Sequence, residues 1–383
     1  MLTFWPLILY GLAVIVGAGI YVAIGAVIKR AGAAAPLSFL LAGVAAGLTG
    51  LCYAELAGRF PEASGGVAYV RRGFGSDRLA QLTGAAMTLA VAIAAASIAR
   101  GSVQYLAVLL PLSTPVLTVM LVAGFTGIAC LGVRESVGLA AAMSVIEIAG
   151  LLAATAAGLL AAPEFHMAGM WPTDVAGWRG VLAGAFIAFF AFIGFETLAN
   201  LAEEVKDPTR TLPRGILGAV AASIVLYVAV ASAAVLADST AGDPLLDLFE
   251  GTSVSVFAAV GSIAVANGVL VEIVMLARLF YGMACNGQLP AVLGRVDPRT
   301  HTPTVATVVA GAIVLAAALL VPFEQLLVLT NAITLGVFAL IDLALCRVQR
   351  NEPAAVGSFT IPRWCPPLAA LLAIVLMLAE FLV

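Results

Sequence analysis

Charge is what this sequence has least of. Only 10% of its 383 residues are Asp, Glu, Lys or Arg, against 63% hydrophobic. No soluble domain of this length carries that balance, because most of a folded surface would then be apolar. Histidine is nearly absent as well, at two residues, His166 and His301, both in expected loops, which disfavours metal-dependent hydrolysis at membrane depth. The five cysteines, Cys52, Cys130, Cys285, Cys346 and Cys365, lack metal-ligand spacing and read as buried thiols. The strictly alternating hydrophobicity of a membrane barrel is missing. So is a basic leader with a small-residue cleavage site, so the first apolar run is taken as a helix and not as a signal peptide. A net charge of -3 gives no reason to expect a nucleic-acid partner.

What is present is a succession of long apolar runs, with a mean hydropathy of +1.12. A bilayer core about 30 Å thick takes roughly 20 apolar residues per helix. The runs fall near 5–28, 34–58, 79–110, 114–133, 137–161, 180–202, 213–238, 253–283, 303–321, 325–345 and 366–382. This predicts an all-α integral membrane protein of about eleven spans in one membrane domain. Arg59, Arg71, Arg72, Arg78, Arg134, Lys206, Arg210, Arg214, Arg295, Arg299, Arg347, Arg350 and Arg363 fall in alternate loops, while the opposite loops hold only Lys29, Arg30 and Arg179. The positive-inside rule therefore places the N-terminus in the cytoplasm, and the odd count places the C-terminus outside the cytoplasmic (inner) membrane.

Two runs carry glycine near their middles: Gly17-Ala18-Gly19 in the first and Gly194 in the sixth. Interrupted backbone within a span is tolerated only where protein packs it or a cavity needs it, and paired interruptions suggest an inverted repeat. The plainer alternative is that the glycines let helices approach closely.

Three segments carry a resemblance: GAGIY at Gly17–Tyr21, CYAELAGRFPEASGGVAYVRRGFG at Cys52–Gly75, and FFAFIGFETLANLAEEVKDPTRTLPRGI at Phe189–Ile216. Together with LGVRES at Leu131–Ser136 and ARLFYGMACNGQLP at Ala277–Pro290, they resemble the amino acid, polyamine and organocation transporter superfamily, of the bacterial amino acid permease type. The resemblance covers nearly the whole chain. It implies a leucine-transporter-like fold with a 5+5 inverted repeat: residues 1–161, then 180–346, then an accessory helix at 366–382. It also implies secondary transport of amino acids by alternating access, without enzymatic catalysis or a bound cofactor.

For the substrate, the resemblance implies that the amides of Gly17, Ala18, Gly19 and Ile20 cradle a carboxylate, while Phe190, Ala191, Ile193 and Gly194 offer carbonyls to an ammonium. An opened helix supplies both partners without charged side chains. Phe189, Phe192 and Phe195 are gate candidates, with core packing as the alternative. No acid sits within either break, which favours a neutral or apolar substrate side chain. Glu196, two residues beyond Gly194, could instead pair with a basic substrate or titrate during gating.

Some proton-dependent members of the superfamily carry a lysine on the fifth span. The aligned stretch VIEIAGLL, Val145–Leu152, has Glu147 there. Glu147 could carry a proton, help bind a cation such as sodium, or form a static pair with Arg100. Glu272 on the eighth span is a second intramembrane acid, expected to share the coupling or to pair with Arg278. Glu203, Glu204, Lys206, Asp207, Arg210 and Arg214 face Arg59, Arg71 and Arg72 as a closing network or as a solvated charge run. A non-transporting amino acid sensor is the main rival reading, with an amine, polyamine or cationic amino acid exchanger as another. Membrane lipid is the surrounding partner, and an accessory subunit is left open.

Overall fold

The computed structural model describes residues 3–61, 65–131, 137–162, 170–201, 204–238, 243–353 and 358–382. Every regular element among them is helical. Lipid leaves no alternative for an apolar chain, because each backbone amide and carbonyl must be paired within its own segment. The elements are α1 (Phe4–Ala31), α2 (Ala35–Arg59), α3 (Gly65–Phe74), α4 (Asp77–Leu109), α5 (Thr114–Cys130), α6 (Val137–Ala161), α7 (Val175–Ala188), α8 (Pro208–Leu236), α9 (Thr252–Cys285), α10 (Thr304–Leu320), α11 (Phe323–Asn351) and α12 (Cys365–Leu382). Six stretches, Asp77–Leu109 and Pro208–Leu236 among them, are long and apolar enough to cross a membrane, and shorter apolar helices accompany them.

Helix starts follow local chemistry. The Ser76 hydroxyl accepts the Leu79 amide at 3.3 Å to open α4, and the Asp174 carboxylate accepts the Gly177 amide at 2.9 Å to open α7. The short α3 falls outside the apolar runs. It buries Tyr69 and Val70 while Arg71 and Arg72 remain exposed, and Gly73 lets it approach α11 so closely that an added Cβ would lie 2.6 Å from Ala344 Cα.

At the centre, α1 and α2 each pack on both α7 and α8; α4 packs on α9, α5 on α10, and α11 on α12. Successive long helices run in opposite directions, so the molecule has two ends. At one, Lys29 pairs with Glu324, and Arg30 with Glu380 at 3.0 Å. At the other, Arg59 pairs with Glu55 on its own helix and donates to the Glu352 carbonyl at 2.9 Å. The buried Glu55 also accepts the Ile361 amide at 2.7 Å and the Gln349 side-chain amide at 2.9 Å, tying the segment before α12 to α2.

Two expectations change here. The first span is continuous: α1 is a single helix from Phe4 to Ala31, with Gly17 and Ala18 inside the run and their side-chain environment outside the described residues. Glycine permits unwinding without forcing it. Its cost in a helix is about 1 kcal/mol, less than leaving amides unpaired in an apolar medium. Gly19 serves close packing instead, since a Cβ there would fall 2.7 Å from Ala191 Cα. The second change concerns the charged loops. Arg59 is taken up by Glu55, and Arg71 pairs with Asp77 at 2.9 Å; among the described residues no ion pair joins either to the charges after Gly194. Glu203 lies outside the described residues.

Candidate functional site

The sixth span does break. After α7 the chain tightens into a 3-10 turn at Phe189–Phe192, extends at Ile193 (φ -62°, ψ 136°), passes Gly194 at φ 126°, and resumes as a second 3-10 segment at Phe195–Leu201. A φ of 126° is open only to glycine. The loosened backbone is satisfied from several sides. The Gly194 amide donates to Glu196 Oε2 at 2.8 Å, and the Thr197 hydroxyl donates to the Gly194 carbonyl at 2.7 Å. Asn331 on α11 donates to the Phe186 carbonyl at 2.8 Å. The Tyr227 hydroxyl on α8 lies 2.9 Å from the Ala191 carbonyl and 2.7 Å from the Ile15 carbonyl, so it bridges the broken span to α1. Buried polar backbone calls for such partners, and their presence marks the break as a built feature.

Where the break crosses α1, a cavity of about 80 Å³ opens, lined by Tyr10, Ala13, Val14, Ile15 and Gly19 from α1, Ala94 and Ile98 from α4, Phe190 and Ile193 from the break, and Asn267, Gly268, Val271 and Glu272 from α9. Its wall is mostly apolar. Glu272 brings in a carboxyl whose Oε2 is shielded and has no hydrogen-bond partner, and Asn267 brings an amide.

Of the expected substrate residues, Gly19, Phe190 and Ile193 line this cavity. Ala191 lies behind it against Gly19, and Gly194 bends the chain against Val14. Ile20 is fully buried elsewhere in the core. The amides of Gly17 to Ile20 sit in mid-helix and not at a helix N-terminus, so the carboxylate cradle anticipated there is not formed. Among the carbonyls, that of Phe190 accepts the Ile193 amide at 3.3 Å and that of Ala191 faces Tyr227.

The aromatic gate candidates pack behind the cavity. Phe189 packs edge-on to Phe338 at 6.0 Å, Phe192 to Tyr227 at 5.0 Å, and Phe195 lies 5.6 Å from Tyr53; all three are buried and none lines the cavity. Alternation along a distorted helix sends Phe190 alone of the four to the cavity. Glu196 is committed to the Gly194 amide as a cap.

Glu147 is fully buried on α6, with neither carboxyl oxygen hydrogen-bonded, which excludes the static pair with Arg100 in this conformation. The Asn267 side chain faces it short of good hydrogen-bond geometry, and the Tyr21 hydroxyl donates to its main-chain carbonyl at 2.9 Å. Asn267 lines the cavity and faces Glu147, so it stands between the two acids that the sequence singled out. No ion pair joins Glu272 to Arg278 among the described residues.

Sequence reasoning missed Asn267, Tyr227 and Asn331, each a polar group in a largely apolar helix. A third buried acid, Asp342 on α11, was also missed; it accepts the Thr49 hydroxyl at 3.0 Å, apart from the cavity. The usable signal was their cost: a polar side chain in a membrane span is retained where it has a partner to serve.

Discontinuous helices beside a cavity recur at the binding sites of secondary transporters. A family model described as amino acid permease matches residues 2–383. The chain belongs to the amino acid permease family. Within it, the chain is 32% identical over 328 residues to the chloroplastic cationic amino acid transporter 9 of Arabidopsis thaliana, covering 77% of this chain and 57% of that one. It is 30% identical over 396 residues to the methylthioribose transporter of Bacillus subtilis (strain 168), covering 94% of this chain and 84% of that one. It is 27% identical to the branched-chain amino acid permease BcaP of the same bacterium, covering 94% and 83%. The chain thus spans less than two thirds of the plant relative's length. As a member of this family it is a multi-pass membrane protein of the permease class, and the superfamily resemblance of its motifs is accounted for.

Proposed function

We propose that this permease carries amino acids across the cytoplasmic membrane by alternating access, with the cavity between α1, α4, α9 and the broken span as its substrate site. The observation that carries the reading is Glu272: an acid with an unpartnered, shielded oxygen on the wall of the cavity at the break. Such a group calls for a cation, and every free amino acid brings an ammonium. Ala13, Ile98, Phe190 and Val271 then offer an apolar surface to a neutral side chain. The N-terminus is assigned to the cytoplasm on the loop arginines, and residues 1–161 and 180–346 to two inverted repeats.

A second reading keeps the same site but turns the side chain, not the ammonium, toward Glu272, making the substrate basic. Glu272 itself favours it, as does similarity to a protein named a cationic amino acid transporter. Thermal-shift binding of neutral and basic amino acids to the parent and to Glu272→Gln separates the two. Equal loss of all ligands supports the ammonium contact; selective loss of the basic ones supports the second reading. Absence of stabilisation by any amino acid would sink both.

For coupling we assign Glu147 as the proton carrier, because a buried carboxyl without a partner is costly when charged. Uptake into proteoliposomes under an imposed pH gradient tests this. Unchanged gradient-driven accumulation in Glu147→Gln would overturn the assignment, leaving amino acid exchange or a sodium ion as the driving partner.

A further inference from the structure

Two helices turn an apolar face outward and finish it in arginine at the same end of the molecule. On α11 the exposed positions Leu329, Gly336 and Leu343 recur every seven residues, two turns apart, so they lie along one face. The next positions of that face are Arg347 and Arg350, both exposed. On α4, Leu89, Ala85 and Leu82 form a stripe of the same kind at spacings of four and three, and it runs into the exposed Arg78, one turn before Leu82. An exposed apolar stripe on a membrane protein faces hydrocarbon. A cation that closes it stands where hydrocarbon gives way to headgroups.

The two stripes end beside each other because α3 joins them. It packs on both α4 and α11, and those two pack on each other. Gly73 rests against Ala344, and the next residue, Phe74, has the Arg347 guanidinium over its ring at 4.5 Å from the centroid. Arg78 follows Phe74 by four residues, at most about 14 Å of chain, and a turn at Gly75 (φ 63°) shortens the span. Stacking on the ring fixes the plane of Arg347 and leaves the N–H groups in that plane for another partner. Among the described residues no ion pair claims Arg78 or Arg347, whereas Lys29 and Arg30 at the opposite end are both paired. The acids nearby are Asp77, which holds Arg71 at 2.9 Å, and Glu352, just beyond α11. Arg71, Arg72, Arg78, Arg347 and Arg350 outnumber them.

We infer that Arg78 and Arg347 form a binding site for the phosphate of an anionic phospholipid, whose acyl chains run along Leu82 and Leu89 of α4 and Leu343 of α11. A guanidinium presents paired N–H groups that match phosphate oxygens, and two of them set at headgroup depth over apolar stripes fit a charged head with two tails. A choline headgroup brings a cation of its own into a region already rich in positive charge, so the site discriminates against it. A bound phosphate bridges α4 to α11 across α3. None of these residues lines the substrate cavity.

The test is titration of the purified full chain with phosphatidylglycerol or with phosphatidylcholine of the same acyl chains, counting bound lipids by native mass spectrometry. The first phosphatidylglycerol should bind several-fold more tightly than the first phosphatidylcholine. Arg78→Gln and Arg347→Gln should each weaken it by about fivefold or more and leave phosphatidylcholine unchanged. Phe74→Leu, which alters no charge but removes the seat of Arg347, should weaken it as well. Arg210→Gln, at an exposed position on α8 at the same end, should not. Thermal unfolding of each variant checks its fold, and the exposed Arg347→Gln decides the matter if Phe74→Leu does not fold. Equal affinity of the parent for the two lipids, or an equal loss in Arg210→Gln, overturns the inference, the latter by showing a diffuse attraction without a site. Displacement of the lipid by glycerol phosphate at matched concentration also overturns it, since the chains would then contribute nothing. Because no transported ligand is involved, this result stands apart from that of the binding and uptake experiments.

Discussion

Substituting Gly194 by Ala tests whether the break in the sixth span is a required conformation. Two costs arise together. The backbone stands at φ 126°, where a residue with a Cβ is strained by about 1–3 kcal/mol. The new Cβ would also fall 2.9 Å from Val14 Cγ1 and 3.0 Å from the Val14 carbonyl oxygen, and relieving an overfilled contact of this kind costs about 1–3 kcal/mol. Their sum, roughly 2–6 kcal/mol, corresponds to a fall in melting temperature on the order of 10 °C at about 2–4 °C per kcal/mol. The assay is thermal unfolding of the detergent-purified protein, followed by tryptophan fluorescence and by recovery of the monodisperse peak. Gly47→Ala is the matched control: Gly47 sits in α2 with open space where its Cβ would be, so alanine there should be neutral or stabilising by about 0.5–1 kcal/mol. If Gly194→Ala melts with Gly47→Ala and the parent, the left-handed kink is dispensable and the account of the site fails.

Three further outcomes are expected. Tyr227→Phe keeps the ring but strips the hydroxyl from the Ala191 and Ile15 carbonyls, which should cost about 1–3 kcal/mol and speed hydrogen exchange around Ile193, measured by mass spectrometry. Because Asp243 binds its proton more tightly when folded, its contribution to stability is complete below pH 3.8 and is lost as pH rises through about 6; a melting series over that window should slope downward in the parent and flatten in Asp243→Asn. Glu55→Ala leaves Arg59 without its buried partner and frees Ile361 and Gln349, so it should cost about 3–5 kcal/mol and expose the segment before α12 to protease, read by limited digestion.

The helical runs were legible because hydropathy reports burial in lipid directly, and among the described residues the apolar runs, the broken sixth apart, fall on helices. The break at Gly194 was legible for a different reason: glycine inside a span has few uses, and the surrounding motif was distinctive. The same reasoning does not carry to Gly17–Gly19, where α1 stays continuous and Gly19 admits Ala191 at a close crossing. Composition cannot distinguish a glycine that bends its own backbone from one that admits a neighbour's. Glu147 and Glu272 stood out as acids in apolar helices. Asn267 did not, since its importance comes from standing on a cavity wall and facing Glu147, which only packing shows. The phenylalanines of the break were ambiguous because a distorted helix has no fixed period from which to tell a lining face from a buried one.

The last helix acts as a strut of fixed length. At one end Glu380 grips Arg30, the last turn of α1; at the other, the Ile361 amide and Gln349 meet on Glu55 of α2. A helix of this length is rigid over about 27 Å, at 1.5 Å per residue for its 18 residues. Its two moorings therefore hold the far end of α1 at a set distance from the opposite end of α2. Any tilt of α1 that opened the Lys29 end would either pull α12 along with it or part the Arg30–Glu380 contact. In this conformation α12 thus couples the Arg30 end of α1 to the Glu55 end of α2.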